Sequence, residues 1–146
     1  MADGRYDLDR FVAAQAESYA AALAELRRGR KTSHWIWFVF PQLRGLGRSD
    51  MALFYGLEDL GEAKAYVAHP ILGPRLVESV RAMLAHSGVS ASQILGEGDA
   101  LKFRSCLTLF LQVAPADELF MEALKHFYGG QPDQMTLSML ADQGSR

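Results

Sequence analysis

Ser33-His34-Trp35-Ile36-Trp37-Phe38-Val39-Phe40-Pro41-Gln42 is the stretch on which the fold class turns. It is apolar on every side, so it is buried in any conformation, and periodicity does not separate helix from strand. Its tryptophans, phenylalanines and β-branched residues favour a strand. A strand needs a partner, and the sequence holds no second strand candidate. Ser33 is a good helix N-cap. The stretch therefore reads as a short buried helix that Pro41 ends.

Both flanks read as helix. Upstream, from Asp7 to Arg28, Leu8, Phe11, Val12, Gln15, Tyr19, Ala22, Leu23 and Leu26 recur at three- and four-residue steps, one face of an amphipathic helix. Arg27, Arg28, Arg30 and Lys31 crowd its C-terminal end, where cations suit the helix dipole, and Gly29 is the expected stop. Downstream, Arg44-Gly45-Leu46-Gly47-Arg48-Ser49 is a glycine loop, and Ser49 caps a short helix to Tyr55. Asp59 with Glu62 has the pattern of a capping box for a helix to about His69. Pro70 suits the first residue of a helix to about His86, with Leu72, Leu76, Val80, Met83 and Leu84 inward, though Pro74 can delay its start. Ser90 opens a short turn. Asp99 is read as the cap of an apolar helix from Ala100 to about Val113, where Leu101, Phe103, Leu107, Leu109, Phe110 and Leu111 wrap most of the circumference. Pro115 and Asp117 open a helix to Tyr128, and a last one spans about Asp133 to Asp142. The expectation is one all-α domain over residues 1–146, with seven to nine short helices around one or two buried central ones. Residues 1–6 and 143–146 are expected to be flexible ends.

The bulk numbers agree with such a domain. The 146 residues are 49% hydrophobic and 22% charged, enough to build a core. A net charge of −2 supplies no global field towards nucleic acid or anionic membrane. The one cysteine, Cys106, cannot form an internal disulfide and fits a reducing cytosol. The polar start is not read as a signal peptide, and the apolar runs are too short to span a bilayer. A cytoplasmic location is expected.

Three stretches resemble a known family. Lys31-x-Ser33-His34-Trp35-x-Trp37-Phe38-x-Phe40-Pro41-Gln42, with Gly45-Leu46-Gly47-x-Ser49 and Tyr55-Gly56, is similar to the signature of bacterial family 1810 of the unknown-function series, sometimes mislabelled "calpastatin". Ala65-Tyr66-x-x-His69-Pro70-x-Leu72-Gly73-x-Arg75-Leu76 and Asp99-x-x-Lys102-Phe103-x-Ser105-x-x-Thr108-Leu109-Phe110 resemble it too. Together they cover nearly the whole chain. Ile36 stands where the family commonly has methionine, and Cys106 where a small or apolar residue is usual. The resemblance implies an all-helical fold and no established activity. The "calpastatin" label does not suit this chain, since that inhibitor is a long disordered repeat protein.

A core needs apolar volume; it does not need Lys31, His34, Gln42, Arg44 and Ser49 beside Trp35 and Trp37. Buried polar groups cost about 1–3 kcal/mol each unless paired. Aromatic rings beside cations suit a planar anionic ligand by stacking and charge. Lys102 and Ser105 share a face of the apolar central helix, where a lysine is unusual. The expected ligand-binding set is thus Lys31, Trp35, Trp37, Gln42, Arg44, Ser49, Lys102 and Ser105, with His34 as the general acid or base. Each residue has a plainer reading: the aromatics as core, His34 as a structural hydrogen-bonding group, the glycines as turn formers, the arginines as solvated charge. The four histidines lack metal-ligand spacing, no P-loop or G-x-S-x-G occurs, and Cys106 reads as a buried inert thiol. No cofactor is expected. The favoured function is binding of, or action on, a small anionic, nucleotide-like metabolite; whether the chain is an enzyme is left open. A protein-interaction module with an exposed apolar patch is the alternative. Nucleic-acid binding through the basic run Arg27–Lys31 and the glycine-loop arginines, Arg44 and Arg48, ranks last. Oligomeric state is not legible.

Overall fold

The structure, a computed structural model, describes residues 6–115 and 117–144. Among them are nine α-helices and no strand: α1 (Asp9–Arg28), α2 (Ile36–Val39), α3 (Asp50–Tyr55), α4 (Leu60–Ala68), α5 (Leu72–Leu84), α6 (Ala91–Leu95), α7 (Glu97–Val113), α8 (Glu118–Tyr128) and α9 (Gln134–Gly144). The all-helical class and the helix number are as the sequence implies. The expected flexible ends fall outside the described residues at 1–5 and 145–146. Tyr6 donates to Asp59, and residues 143–144 complete α9.

α7 is the axis, packed against α2, α4, α6, α8 and α9, while α1 packs on α2 and α5. Phe103 and Phe110 of α7 are fully buried. Phe103 meets Phe40 with ring centres 4.5 Å apart, and Phe110 meets Tyr66 and Phe120 at 5.5 and 5.9 Å. Burying each such ring is worth roughly 1.5–3 kcal/mol, more than helix propensity supplies to short elements. Leu101 departs from the expected wrap-around face and is 65% exposed. It lies near the N-terminal end of α7, where Glu97 and Gly98 also face solvent.

Local signals set most boundaries. Gly29 ends α1 at φ 82°, with its own N–H bonded to Leu26 O and that of Arg30 to Glu25 O. Ser49, Ser90 and Asp117 cap α3, α6 and α8. Other readings shift. The Asp59–Glu62 pair forms only half a capping box, because the Glu62 carboxylate accepts from Glu58 N–H and Arg10 instead. α5 starts at Leu72 rather than Pro70, because His69 Nδ1 accepts from the N–H groups of Ile71 and Leu72. α2 starts at Ile36, and Ser33 does not cap it. α7 starts at Glu97, so Asp99 sits inside the first turn.

Candidate functional site

The site begins at the end of α1 with Glu25, a buried carboxylate. It accepts from Thr32 N–H at 2.7 Å, Ser33 N–H at 3.0 Å and Trp35 Nε1–H at 2.9 Å, and also from Ser33 Oγ. Burial alone would push its pKa up. The four hydrogen bonds outweigh that and hold it at about 2 against an ordinary 4.5. Ser33 is drawn to this carboxylate and away from the start of α2. Trp35 is thereby fixed in the core, as its plainer reading holds.

The chain leaving α1 then presents Lys31. Its backbone N–H donates to Ile94 O at 2.7 Å, which seats it against α6. Its ammonium lies 5.1 Å from the centre of the Trp35 ring and 2.8 Å from Asp99 Oδ2, with the side chain only 8% exposed. Lys102 approaches the other oxygen of Asp99 at 3.4 Å. One carboxylate thus serves two ammonium groups, and the trio keeps a net positive charge.

Beyond Lys102 lies a small hollow of about 10 Å³, room for the centre of one water-sized group. Trp37, Phe40 and Gln42 line it from the α2 segment, Ala52, Tyr55 and Gly56 from the α3 segment, and Lys102 from α7. Lys102 is its one charged lining residue. Trp37 carries the unusual feature: its Nε1–H is buried and has no hydrogen-bond acceptor among the described residues. An unpaired buried donor costs about 1–3 kcal/mol, so native structures rarely keep one without a reason.

The structure therefore brings together Trp37, Gln42 and Lys102, and joins Lys31 to them through Asp99. The other expected residues lie apart from this hollow. Arg44 donates through Nε and Nη2 to the carbonyls of Leu53 and Gly56, each at 3.1 Å. Ser49 Oγ accepts from Ala52 N–H. Ser105 is buried and donates to Leu101 O. His34 is exposed and does not line the hollow.

Sequence reasoning missed Glu25 and Arg10, took Glu62 for a capping-box partner, and took Asp99 for a cap. Glu25 stands three residues after Ala22 and one before Leu26, inside the apolar stripe, and that position was the available signal. Arg10 and Glu62 pair at 3.0 Å with side chains 7% and 3% exposed. Burial pushes the Cys106 thiol up, so it stays protonated and inert. No cluster of three His, Cys, Asp or Glu among the described residues is placed to hold a metal ion. Among the described residues no helix is long and apolar enough to cross a membrane.

The comparisons with known proteins meet this geometry with little chemistry of their own. No protein of curated description matches the chain. The fold is similar to the crystal structure of the conserved hypothetical protein Rv1873 from Mycobacterium tuberculosis, with 47% identity and a TM-score of 0.92 over 94% of this chain and 98% of that one. Residues 5–140 match the family described as "Protein of unknown function (DUF1810)". With that match spanning most of its length, the chain belongs to the DUF1810 family.

Proposed function

We propose that this protein binds a small anionic metabolite, nucleotide-like in joining a planar body to a phosphate or carboxylate, at the hollow between Trp37, Gln42 and Lys102. The observation that carries the reading is the Trp37 indole N–H, a buried donor without an acceptor among the described residues, in a residue that shares the hollow with a lysine. An anionic oxygen would satisfy that donor and face the one charge in the lining. Phe40, Tyr55 and Trp37 supply aromatic walls for a planar group. The reading is one of binding and includes no chemical step; Lys102 and Tyr55 are the titratable residues in the lining.

A thermal-shift titration with inorganic phosphate and with AMP tests it. At a hundredfold excess over Kd, the wild-type Tm should rise by about 5–10 °C. Trp37→Phe and Lys102→Ala should each weaken the midpoint by about 10–100-fold, as loss of a hydrogen bond to a charged group does. No rise with either anion, or a rise that survives both substitutions, would sink the reading.

Asp99→Asn separates charge from scaffolding. It leaves both lysines uncompensated, so affinity for phosphate at low salt should increase about three- to tenfold while the ligand-free Tm falls. A purely structural triad would give the fall without the gain.

One observation favours the interaction-module alternative. Met51, Leu53 and Phe54 of α3 are 37%, 47% and 56% exposed. Concentration-dependent self-association or partner capture abolished by Leu53→Ser with Phe54→Ser would support it. The basic run lends less to a nucleic-acid reading, because Lys31 is paired to Asp99 and Arg27 lies 3.7 Å from Glu78.

A further inference from the structure

We infer that residues 45–56, the glycine loop after Arg44 together with α3, form a lid that lifts as a unit to admit the ligand; this rests on the binding reading above. The hollow has room for one water-sized group, so anything larger needs one wall to move. Two of the walls belong to the core. Phe40 of the α2 segment is fully buried, and Lys102 stands beside the fully buried Phe103 on α7. The third wall is Ala52, Tyr55 and Gly56, and it belongs to a segment with its own closed neck. Arg44 N–H donates to Leu57 O at 2.8 Å, and Leu57 N–H donates to Gln42 O at 2.9 Å, which makes a parallel bridge between Leu43 and Leu57. A segment that leaves and returns through one such neck is an Ω-loop, and it can swing without unravelling the elements on either side.

What holds this segment down is limited and identifiable. Arg10 of α1 donates to Phe54 O at 2.9 Å and Gly56 O at 3.1 Å, and Arg44 donates to Leu53 O and Gly56 O. Both guanidinium groups thus clasp the last carbonyls of α3. The Tyr55 ring sits 5.2 Å from that of Phe38 and 5.8 Å from that of Phe11. Leu46 packs on the core and Ala52 is buried, but most of the remaining lid is solvent-facing: Gly45, Arg48, Ser49, Asp50, Met51, Leu53 and Phe54 are exposed. Low burial and few fixed anchors are the marks of a segment that opens well below the cost of global unfolding. The expected residues Arg44 and Ser49 acquire a role here. Arg44 is a latch and Ser49 stiffens α3, so neither needs to touch the ligand.

Backbone relaxation dispersion on the ligand-free protein, with iodide quenching of Trp37 fluorescence in parallel, tests the lid. Amides of 45–56 should share one microsecond-to-millisecond exchange process, while Leu43, Leu57 and α7 stay silent. Arg44→Ala should raise the open population about tenfold and Trp37 quenching with it, as loss of two hydrogen bonds from a charged donor allows. Arg44→Lys should fall between the two. Exchange spread into α7, or a lid silent in both wild type and Arg44→Ala, would overturn the proposal. The two ideas fail separately. A mobile lid over a Trp37 that ignores phosphate and AMP refutes the ligand and leaves the lid. Tight binding, with association rates equal in wild type and Arg44→Ala, refutes the lid and leaves the ligand.

Discussion

Glu25→Ala is expected to destabilise the fold by about 3–5 kcal/mol, because it strands the N–H groups of Thr32, Ser33 and Trp35 together. Urea denaturation checks this as a lower midpoint with little change in slope. Glu25→Gln is the isosteric control. Its single carbonyl oxygen can still accept where Oε1 now accepts three N–H bonds, and the Ser33 hydroxyl can turn to accept from the new amide. It should cost only about 1–2 kcal/mol, the difference between charged and neutral hydrogen bonds. The pair also differ in pH dependence. The folded pKa of Glu25, about 2, lies below its ordinary 4.5, so the unfolded chain takes up the proton more readily. The contribution of Glu25 is therefore complete above about pH 4.5 and is lost as pH falls towards 2. That part of the acid limb should be missing from Glu25→Gln. A wild type and a variant with the same acid limb would remove Glu25 from the explanation.

Gly73→Ala should cost about 3 kcal/mol or more, although alanine is the better helix former by about 1 kcal/mol. A Cβ at Gly73 would lie 2.1 Å from the carbonyl oxygen of Val67 and 3.0 Å from its carbon. Both atoms are backbone, so relief would require α5 to move off the end of α4. Gly98 in the first turn of α7 is the opposite case, with nothing within 4 Å of its added Cβ. Gly98→Ala should be neutral or stabilise by up to about 1 kcal/mol. A calorimetric scan that gave both substitutions the same sign would contradict this packing.

These residues mark how far one sequence can be read. The long helices announce themselves, because Phe11, Gln15, Tyr19, Ala22 and Leu26, or Leu72, Leu76, Val80 and Met83, repeat at the helical spacing, and burial follows the stripe. Ser49 was readable as a cap, and Asp117 as a helix start, because a cap bond reaches only two or three residues along the chain; Ser90, read as opening a turn, caps α6 by the same kind of bond. Asp99 obeys the same local preference, yet its carboxylate is claimed by Lys31 on a distant segment, and no periodicity encodes that. Arg44 shows the same limit. As a charge in a glycine loop it suggested a ligand contact, whereas its partners are carbonyls that only the folding back of Leu57 onto Leu43 brings within reach. Of the expected set, Trp37, Gln42 and Lys102 were chosen by residue type alone, and they line one hollow. Their meeting at one hollow is a tertiary fact.

The indole resonances offer the most direct test of the binding site. In a 15N–1H correlation spectrum titrated with phosphate and then AMP at constant ionic strength, the Trp37 Nε1–H peak should shift saturably. The Trp35 peak, tied to Glu25, should stay in place. A Trp37 peak unmoved at millimolar anion, or two indole peaks drifting together without saturation, would mean that the unpaired Trp37 donor does not serve an anionic ligand.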